Sequence, residues 1–210
     1  MKDLFITIFV MFISTVYSQE KHQFSVETGA MQSSLRSEVI GGRRLGTRIY
    51  LLAGIEYRYA MTTQFAIKTG LSFERKGIKA ENIIPSAYQT QKINVDYDYL
   101  ILPLQISWKT KGATYFYTNT GMFFGFLLSQ KVVFKKHPMN PGFTEDRTNE
   151  TKRYDLGPII EMGLGFQVLG RKCEVGLRES FGLIDTNLVD APNVYSVWIN
   201  SLGLKVGVSI

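Results

Sequence analysis

The sequence predicts an all-β fold: an eight-stranded antiparallel up-and-down transmembrane β-barrel in one domain, residues 19–210. Eight segments alternate apolar with polar residues, and the connections between them alternate long with short. After residue 18, no apolar run is long enough for a membrane-spanning helix. The connections number about 18, 4, 22, 5, 24, 3 and 14 residues, and short turns opposite long loops are typical of bacterial barrels. The predicted strands are residues 24–31, 50–59, 64–74, 97–108, 114–128, 153–168, 172–181 and 196–210.

The first 18 residues are interpreted as a secretory signal peptide. A lysine at position 2 precedes an apolar run over residues 4–13, and Val16 and Ser18 place small residues before Gln19. Such a run is too short to cross a bilayer, so we expect cleavage before Gln19. The alternative is a retained N-terminal anchor. No later run reaches 18 apolar residues, which excludes helical spans and leaves strands as the means of crossing.

The second predicted strand illustrates the alternation. Leu51 and Ile55 share one face, while Glu56 and Arg58 share the other, because successive side chains of a strand point to opposite sides. The third, sixth, seventh and eighth strands repeat this pattern. Their apolar faces include Phe65, Leu71, Ile160, Leu164, Val175, Leu177, Leu204 and Val206. The apolar face is expected to contact lipid, and the polar face is expected to line the lumen.

The fourth and fifth strands fit the pattern less clearly. Pro103 lies within the fourth strand, where it cannot donate a hydrogen bond, so we expect a β-bulge there. The fifth strand is aromatic on both faces. Parity places Phe124 outward and Phe123 inward.

Charged side chains collect on the predicted inward face. An eight-stranded barrel has an interior only just wide enough for side chains, so paired charges predict a plugged lumen without metal or cofactor. An ion relay is the alternative, since charge within a membrane is often functional. The predicted network comprises Glu27, Glu56, Arg58, Lys68, Glu74, Glu161, Glu174, Arg178 and Lys205.

A soluble lipocalin-like barrel is the main rival fold, because alternation alone does not tell which face is inside. Such a barrel would turn the apolar face inward around a ligand. Glycine and alanine dilute the charge on the polar face, which favours a crowded lumen over a solvated surface. Cys173 is the only cysteine, so the chain forms no internal disulfide and offers no lipidation site after the apolar run.

The net charge of +6 is concentrated in the predicted long loops. These loops are expected to face the exterior, where lipopolysaccharide phosphates and acidic glycans are the nearby anions. Outer-membrane lipid and protein partners at the surface or in the periplasm are also expected, nucleic acid is not, and the barrel is expected to be monomeric. Solvated loops without a specific partner are the alternative. The basic surface comprises Arg36, Arg43, Arg44, Arg48, Arg75, Lys76, Lys79, Lys131, Lys135 and Lys136.

Catalytic signals are weak. A hydrolase at the outer rim would need a base with an orienting acid, and only His137 offers one, with Glu145, Asp146 or Asp185 nearby in the loops. These residues form no recognisable pattern. We therefore predict that the protein is not an enzyme.

Two segments carry a resemblance to a known family. The run DYLILPLQISWK at residues 98–109 and the glycine-punctuated run DLGPIIEMGLGFQV at 155–168 resemble strands of the PorT-like outer-membrane β-barrel proteins of Bacteroides-group bacteria. The resemblance implies an outer-membrane barrel over essentially the whole mature chain. It also implies a secretion or assembly accessory, since PorT itself is implicated in assembling a secretion system. Such barrels commonly end in an aromatic residue, whereas this chain ends at Ile210.

The sequence thus predicts a non-enzymatic integral protein of the cell outer membrane, with a plugged lumen and basic external loops for interaction. A narrow, porin-like solute channel and an outer-membrane hydrolase are the alternatives. They differ in the residues on which they depend: the loop bases for interaction, the inward charges for transport, and His137 for catalysis.

Overall fold

The structure, a computed structural model, describes residues 21–37, 44–84, 89–136, 141–186 and 197–210. The predicted signal peptide lies outside these residues. Within the described part, no helix is long and apolar enough to cross a membrane. The strands are β1 (His22–Ser37), β2 (Arg44–Ala60), β3 (Phe65–Ile84), β4 (Gln89–Lys109), β5 (Tyr115–Phe134), β6 (Phe143–Asp146), β7 (Tyr154–Val168), β8 (Arg171–Phe181) and β9 (Val197–Ser209).

Eight of these strands form one closed antiparallel barrel. The ladder runs β4-β3-β2-β1-β9-β8-β7-β5, and pairing of β4 with β5 closes the ring. The predicted fold class is therefore confirmed. The short β6 lies outside the ring. It forms a ladder with the end of β5 on the long-loop side, where Asp146 of β6 lies opposite Lys131 of β5 in the strand register. A single 3₁₀ turn over Thr148–Glu150 follows it.

The apolar face of the barrel points outward. In β5, Phe124 is 44% exposed whereas its neighbour Phe123 is 1% exposed, as parity predicts. Leu71 of β3 and Leu164 of β7 are likewise exposed. A lipocalin-like barrel would have the opposite arrangement, so the rival fold is wrong.

The strands extend further on the long-loop side than the sequence predicts. β3 continues ten residues past its predicted end at Glu74, and its pairing with β4 persists to Ile84 and Gln89. A 20-residue strand tilted by about 40° rises on the order of 50 Å, about twice the height of the apolar band. Outside that band both faces are polar, so the alternation that marks a strand disappears from the sequence.

This extension corrects the prediction that the basic residues lie in loops. Only Lys135 and Lys136 follow the end of a strand, and Arg43 lies outside the described residues. The others lie within strands: Arg36, Arg44, Arg48, Arg75, Lys76, Lys79 and Lys131.

The predicted bulge at Pro103 is also wrong. Pro103 pairs with Phe123 of β5 in unbroken register, and the β4–β5 irregularity lies instead at Asp98 and Tyr99. On the other side, β3 and β4 keep one register on both sides of Pro103. The Thr69 hydroxyl donates to the Pro103 carbonyl over 2.8 Å. Omitting a ladder bond on one side accommodates the proline without an extra residue.

Candidate functional site: the lumen of the barrel

The lumen is lined by inward side chains that the strand register brings to one level. Arg58 of β2 lies opposite Lys68 of β3, and Glu161 of β7 lies opposite Arg178 of β8. Small residues make room for these long side chains. Added Cβ atoms on Gly163 and Gly176 would lie 2.9 and 2.5 Å from the hydroxyl of Tyr117. The glycines among the charged residues therefore leave space for an aromatic ring inside the barrel.

A lysine-centred cluster occupies the middle of the lumen. The Lys205 Nζ lies 2.8 Å from Glu56 Oε1, 3.1 Å from Glu27 Oε2 and 3.1 Å from Glu161 Oε2. Lys68 pairs with Glu56 and Glu161, and the amide of Asn119 donates to Glu161 over 2.8 Å. Two ammonium groups thus share three buried carboxylates.

These carboxylates also have the spacing of a metal site. One oxygen from each of Glu27, Glu56 and Glu161 lies within 4.8 Å of the others. The Nζ atoms of Lys68 and Lys205 already supply the positive charge at this position. The ammonium groups of these two lysines therefore occupy the position that a metal ion would take.

Two arginines extend the network along the barrel, Arg178 toward the long loops and Arg58 toward the short turns. Arg178, 1% exposed, lies 2.9 Å from Glu74, 3.3 Å from Glu27 and 3.6 Å from Glu161. Toward the short turns, Arg58 donates to both oxygens of Glu174 over 2.7 and 2.8 Å. The hydroxyl of Tyr115 donates to the same carboxylate over 3.0 Å. The structure thus brings all nine predicted lumen residues together.

Lys76 is a tenth member, and its prediction as an external residue is wrong. It is fully buried, with its Nζ 3.9 Å from Glu74 and 4.7 Å from the ring centroid of Phe123. Because β3 continues beyond Glu74, the residue two positions further points to the same face. Lys76 brings the bases of the network to five, equal to its five glutamates.

An apolar layer lies above the charges, toward the long loops. Its buried members pack into one cluster, and Lys76 lies beneath it against the rings of Tyr99 and Phe123. This layer is absent from the residues predicted above, although the inward parity of β4 and β5 indicates it. The members are Tyr97, Tyr99, Ile101, Phe123, Leu127, Ile159 and Ile199.

The remaining basic residues divide into paired and unpaired groups. Arg48 lies 2.8 Å from Asp96, which also accepts a 2.5 Å hydrogen bond from Tyr50. Arg75 donates to both oxygens of Asp98 on the outer face. Four lysines of the predicted basic surface are exposed and have no carboxylate within 4.0 Å among the described residues, and we call them the external lysine patch: Lys79, Lys131, Lys135 and Lys136.

The candidate catalytic residues do not form a site in the described part of the chain. His137 lies outside it. Glu145 accepts hydrogen bonds from Arg147, and Asp146 accepts them from Thr148. Asp185 accepts a bond from the backbone of Val197 over 2.9 Å. Each acid is engaged in local structure.

Taken together, a closed antiparallel barrel with an apolar exterior, a charged interior and short turns at the end where β1 begins and β9 ends defines the class of outer-membrane barrels. The chain belongs to the outer membrane protein beta-barrel domain family, whose model matches residues 17–187. The protein therefore resides in the cell outer membrane.

Solved structures of outer-membrane proteins match this chain at low sequence identity. OprG from Pseudomonas aeruginosa matches with a TM-score of 0.50 and 11% identity, covering 93% of this chain and 99% of that one. Ail of Yersinia pestis matches with a TM-score of 0.44 and 14% identity, covering 91% and 100%. Neisserial surface protein A matches with a TM-score of 0.45 and 12% identity, covering 88% and 96%. No curated protein matches this sequence.

Proposed function

We propose that this protein is a non-enzymatic, non-conducting outer-membrane barrel that acts through its external surface. The observation that carries this proposal is the set of paired charges and packed apolar side chains inside the barrel. Five acids and five bases pair across the barrel, and an apolar layer lies above them. A buried charge pair and a packed aromatic layer both oppose the passage of hydrated ions, because an ion would have to lose water and displace a partner.

With the interior filled, the external lysine patch is the part of the described structure best suited to binding. Lys79 and Lys131 are exposed on the extracellular extensions of β3 and β5, and Lys135 and Lys136 follow directly. We assign this patch to phosphate-bearing or acidic glycans of the cell surface, lipopolysaccharide first. Each lysine near an anionic membrane surface contributes about 1 kcal/mol to such binding.

The filled lumen is tested by conductance. The protein, inserted into planar bilayers, is expected to show no steady current, because charge pairs and aromatic rings occupy the path. Single-channel recording makes the measurement, with a porin in the same bilayers as the positive control. Long-lived, ion-selective openings of the unmutated protein would favour the narrow channel instead.

The external patch is tested by binding of lipopolysaccharide to the protein in zwitterionic micelles. The double variant Lys135→Gln/Lys136→Gln is expected to bind about thirtyfold more weakly, since two charges that attract phosphate are lost. The matched control is Lys109→Gln/Lys172→Gln, which removes the same charge at the opposite end of the barrel. Equal loss in both variants would mean that only net charge matters and would refute a site at the patch.

A secretion or assembly accessory role remains a finer proposal. It is supported by the resemblance of residues 98–109 and 155–168 to PorT-like proteins. The proposed external binding and this role are compatible, because both use the barrel as a fixed platform rather than as a channel.

A further inference from the structure

The short-turn end of the barrel contains a cavity of about 440 Å³ that the function proposed above does not use. It lies among the turns that join β2 to β3, β4 to β5 and β7 to β8. Short turns and chain ends face the periplasm in bacterial barrels, so the cavity opens there. Its basic and hydroxyl-bearing lining comprises Thr63, Lys109, Thr110, Lys111, Tyr115 and Lys172.

Two of the lysines follow the inward parity of their strands. Lys109 continues the series of the buried Gln105 and Ser107 in β4, and Lys172 lies two positions before the buried Glu174 in β8. Both backbones are held, since Lys109 N donates to Gln64 O over 3.0 Å and Lys172 N donates to Ser209 Oγ over 2.9 Å. Both side chains lie on the inner face of the barrel, where Lys109 Nζ is 5.3 Å from the ring centroid of Tyr115 and Lys172 Nζ is 3.5 Å from Gln23 Oε1.

The cavity has positive charge without compensating acid. Glu174 contacts the cavity lining only through the hydroxyl of Tyr115, and its carboxylate already accepts from Arg58 through both oxygens. Among the residues that the structure describes, no carboxylate lies within 4.0 Å of Lys109, Lys111 or Lys172. We call this short-turn end of the barrel, with its cavity, the periplasmic mouth. It differs from the lumen above it, where every ammonium and guanidinium group has an acid as partner.

We propose that the periplasmic mouth binds a soluble compact anion that carries at least two phosphate or carboxylate groups. Three ammonium groups in a partly enclosed space attract such charge more strongly than isolated surface lysines do, because the walls exclude part of the screening water. The hydroxyls of Thr63 and Thr110 and the amide of Gln167 supply neutral donors that orient the anion. The volume falls in the range of small-ligand sites.

Inorganic pyrophosphate and citrate serve as the two probes, one for each anion chemistry. Each is titrated calorimetrically into the protein in zwitterionic micelles at about 150 mM salt, where long-range attraction is screened. The unmutated protein is expected to bind at least one probe, and Lys109→Gln/Lys172→Gln to weaken that binding at least about tenfold. The control Arg147→Gln/Lys152→Gln removes the same charge on the long-loop side, at residues that belong to neither proposed site. It is expected to bind within about twofold of the unmutated protein.

A second measurement needs no variant. Pyrophosphate is expected to protect Lys109 and Lys172 of the unmutated protein from acetylation, read by mass spectrometry, while Lys152, which belongs to neither proposed site, reacts unchanged. Failure of both probes to bind, or equal loss in the control variant, would overturn the proposal. Competition of the probe by nanodiscs containing phosphatidylglycerol would assign the mouth to lipid headgroups and overturn the soluble ligand.

Discussion

Replacement of Arg178 by alanine is expected to lower the free energy of unfolding by about 3 to 5 kcal/mol, the largest effect of any single charged residue. The guanidinium group contacts Glu74, Glu27 and Glu161 at 1% exposure. Removing it leaves buried carboxylates short of positive charge, and water cannot replace the lost partner. Reversible urea unfolding in lipid vesicles, followed by tryptophan fluorescence, gives the free energy.

Arg75→Ala is the matched control for this prediction. Arg75 also makes a two-point contact with a carboxylate, Asp98, but is itself 46% exposed, so water screens the pair. Its loss is expected to cost no more than about 1 kcal/mol. An Arg178 variant as stable as the Arg75 variant would mean that water reaches the lumen freely, contrary to the proposed filled interior.

Introduction of arginine at Leu164 is expected to cost about 2 to 4 kcal/mol of folding free energy. Leu164 is 55% exposed on the outer face, with Phe116 and Val175 as its cross-strand neighbours. It lies four residues from the end of β7, about 10 Å along the barrel axis and close to the bilayer midplane. The cost arises because the guanidinium group would meet hydrocarbon.

Leu169→Arg tests whether depth rather than charge causes that cost. Leu169 is 98% exposed in the turn between β7 and β8, outside the hydrocarbon. The same charge placed there is expected to change the free energy of unfolding by less than about 0.5 kcal/mol. Equal effects at the two positions in a lipid-refolding titration would contradict the outward register of β7.

The alternation of side chains along a strand predicts from the sequence which residues face the lumen. A strand places every second side chain on one face, so Glu56 and Arg58 in β2, or Glu174 and Arg178 in β8, were assigned to the lumen without knowledge of their partners. The sequence does not predict which base forms an ion pair with which acid. The pair Lys68 and Glu161 joins β3 to β7, and that contact depends on how the whole ring closes.

The positions at which the strands end could not be predicted from the sequence, for a different reason. Hydrophobic alternation exists only where lipid covers one face, and β3 leaves lipid well before it ends. The sequence therefore predicts a loop at Lys76, although Lys76 lies two residues from Glu74 on the same face. At Pro103 the general rule against proline inside a sheet predicted a bulge, whereas the barrel omits one hydrogen bond.

The partners within the lumen come from distant parts of the chain. Arg58 and Glu174 are 116 positions apart, and Lys205 and Glu56 are 149 apart. A barrel that has inserted only some of its strands therefore has charges facing hydrocarbon with their partners still outside the membrane. Such intermediates carry a free-energy penalty that ends only at closure. The charged interior thus makes insertion and closure a single cooperative event, and it disfavours a half-assembled sheet in the bilayer.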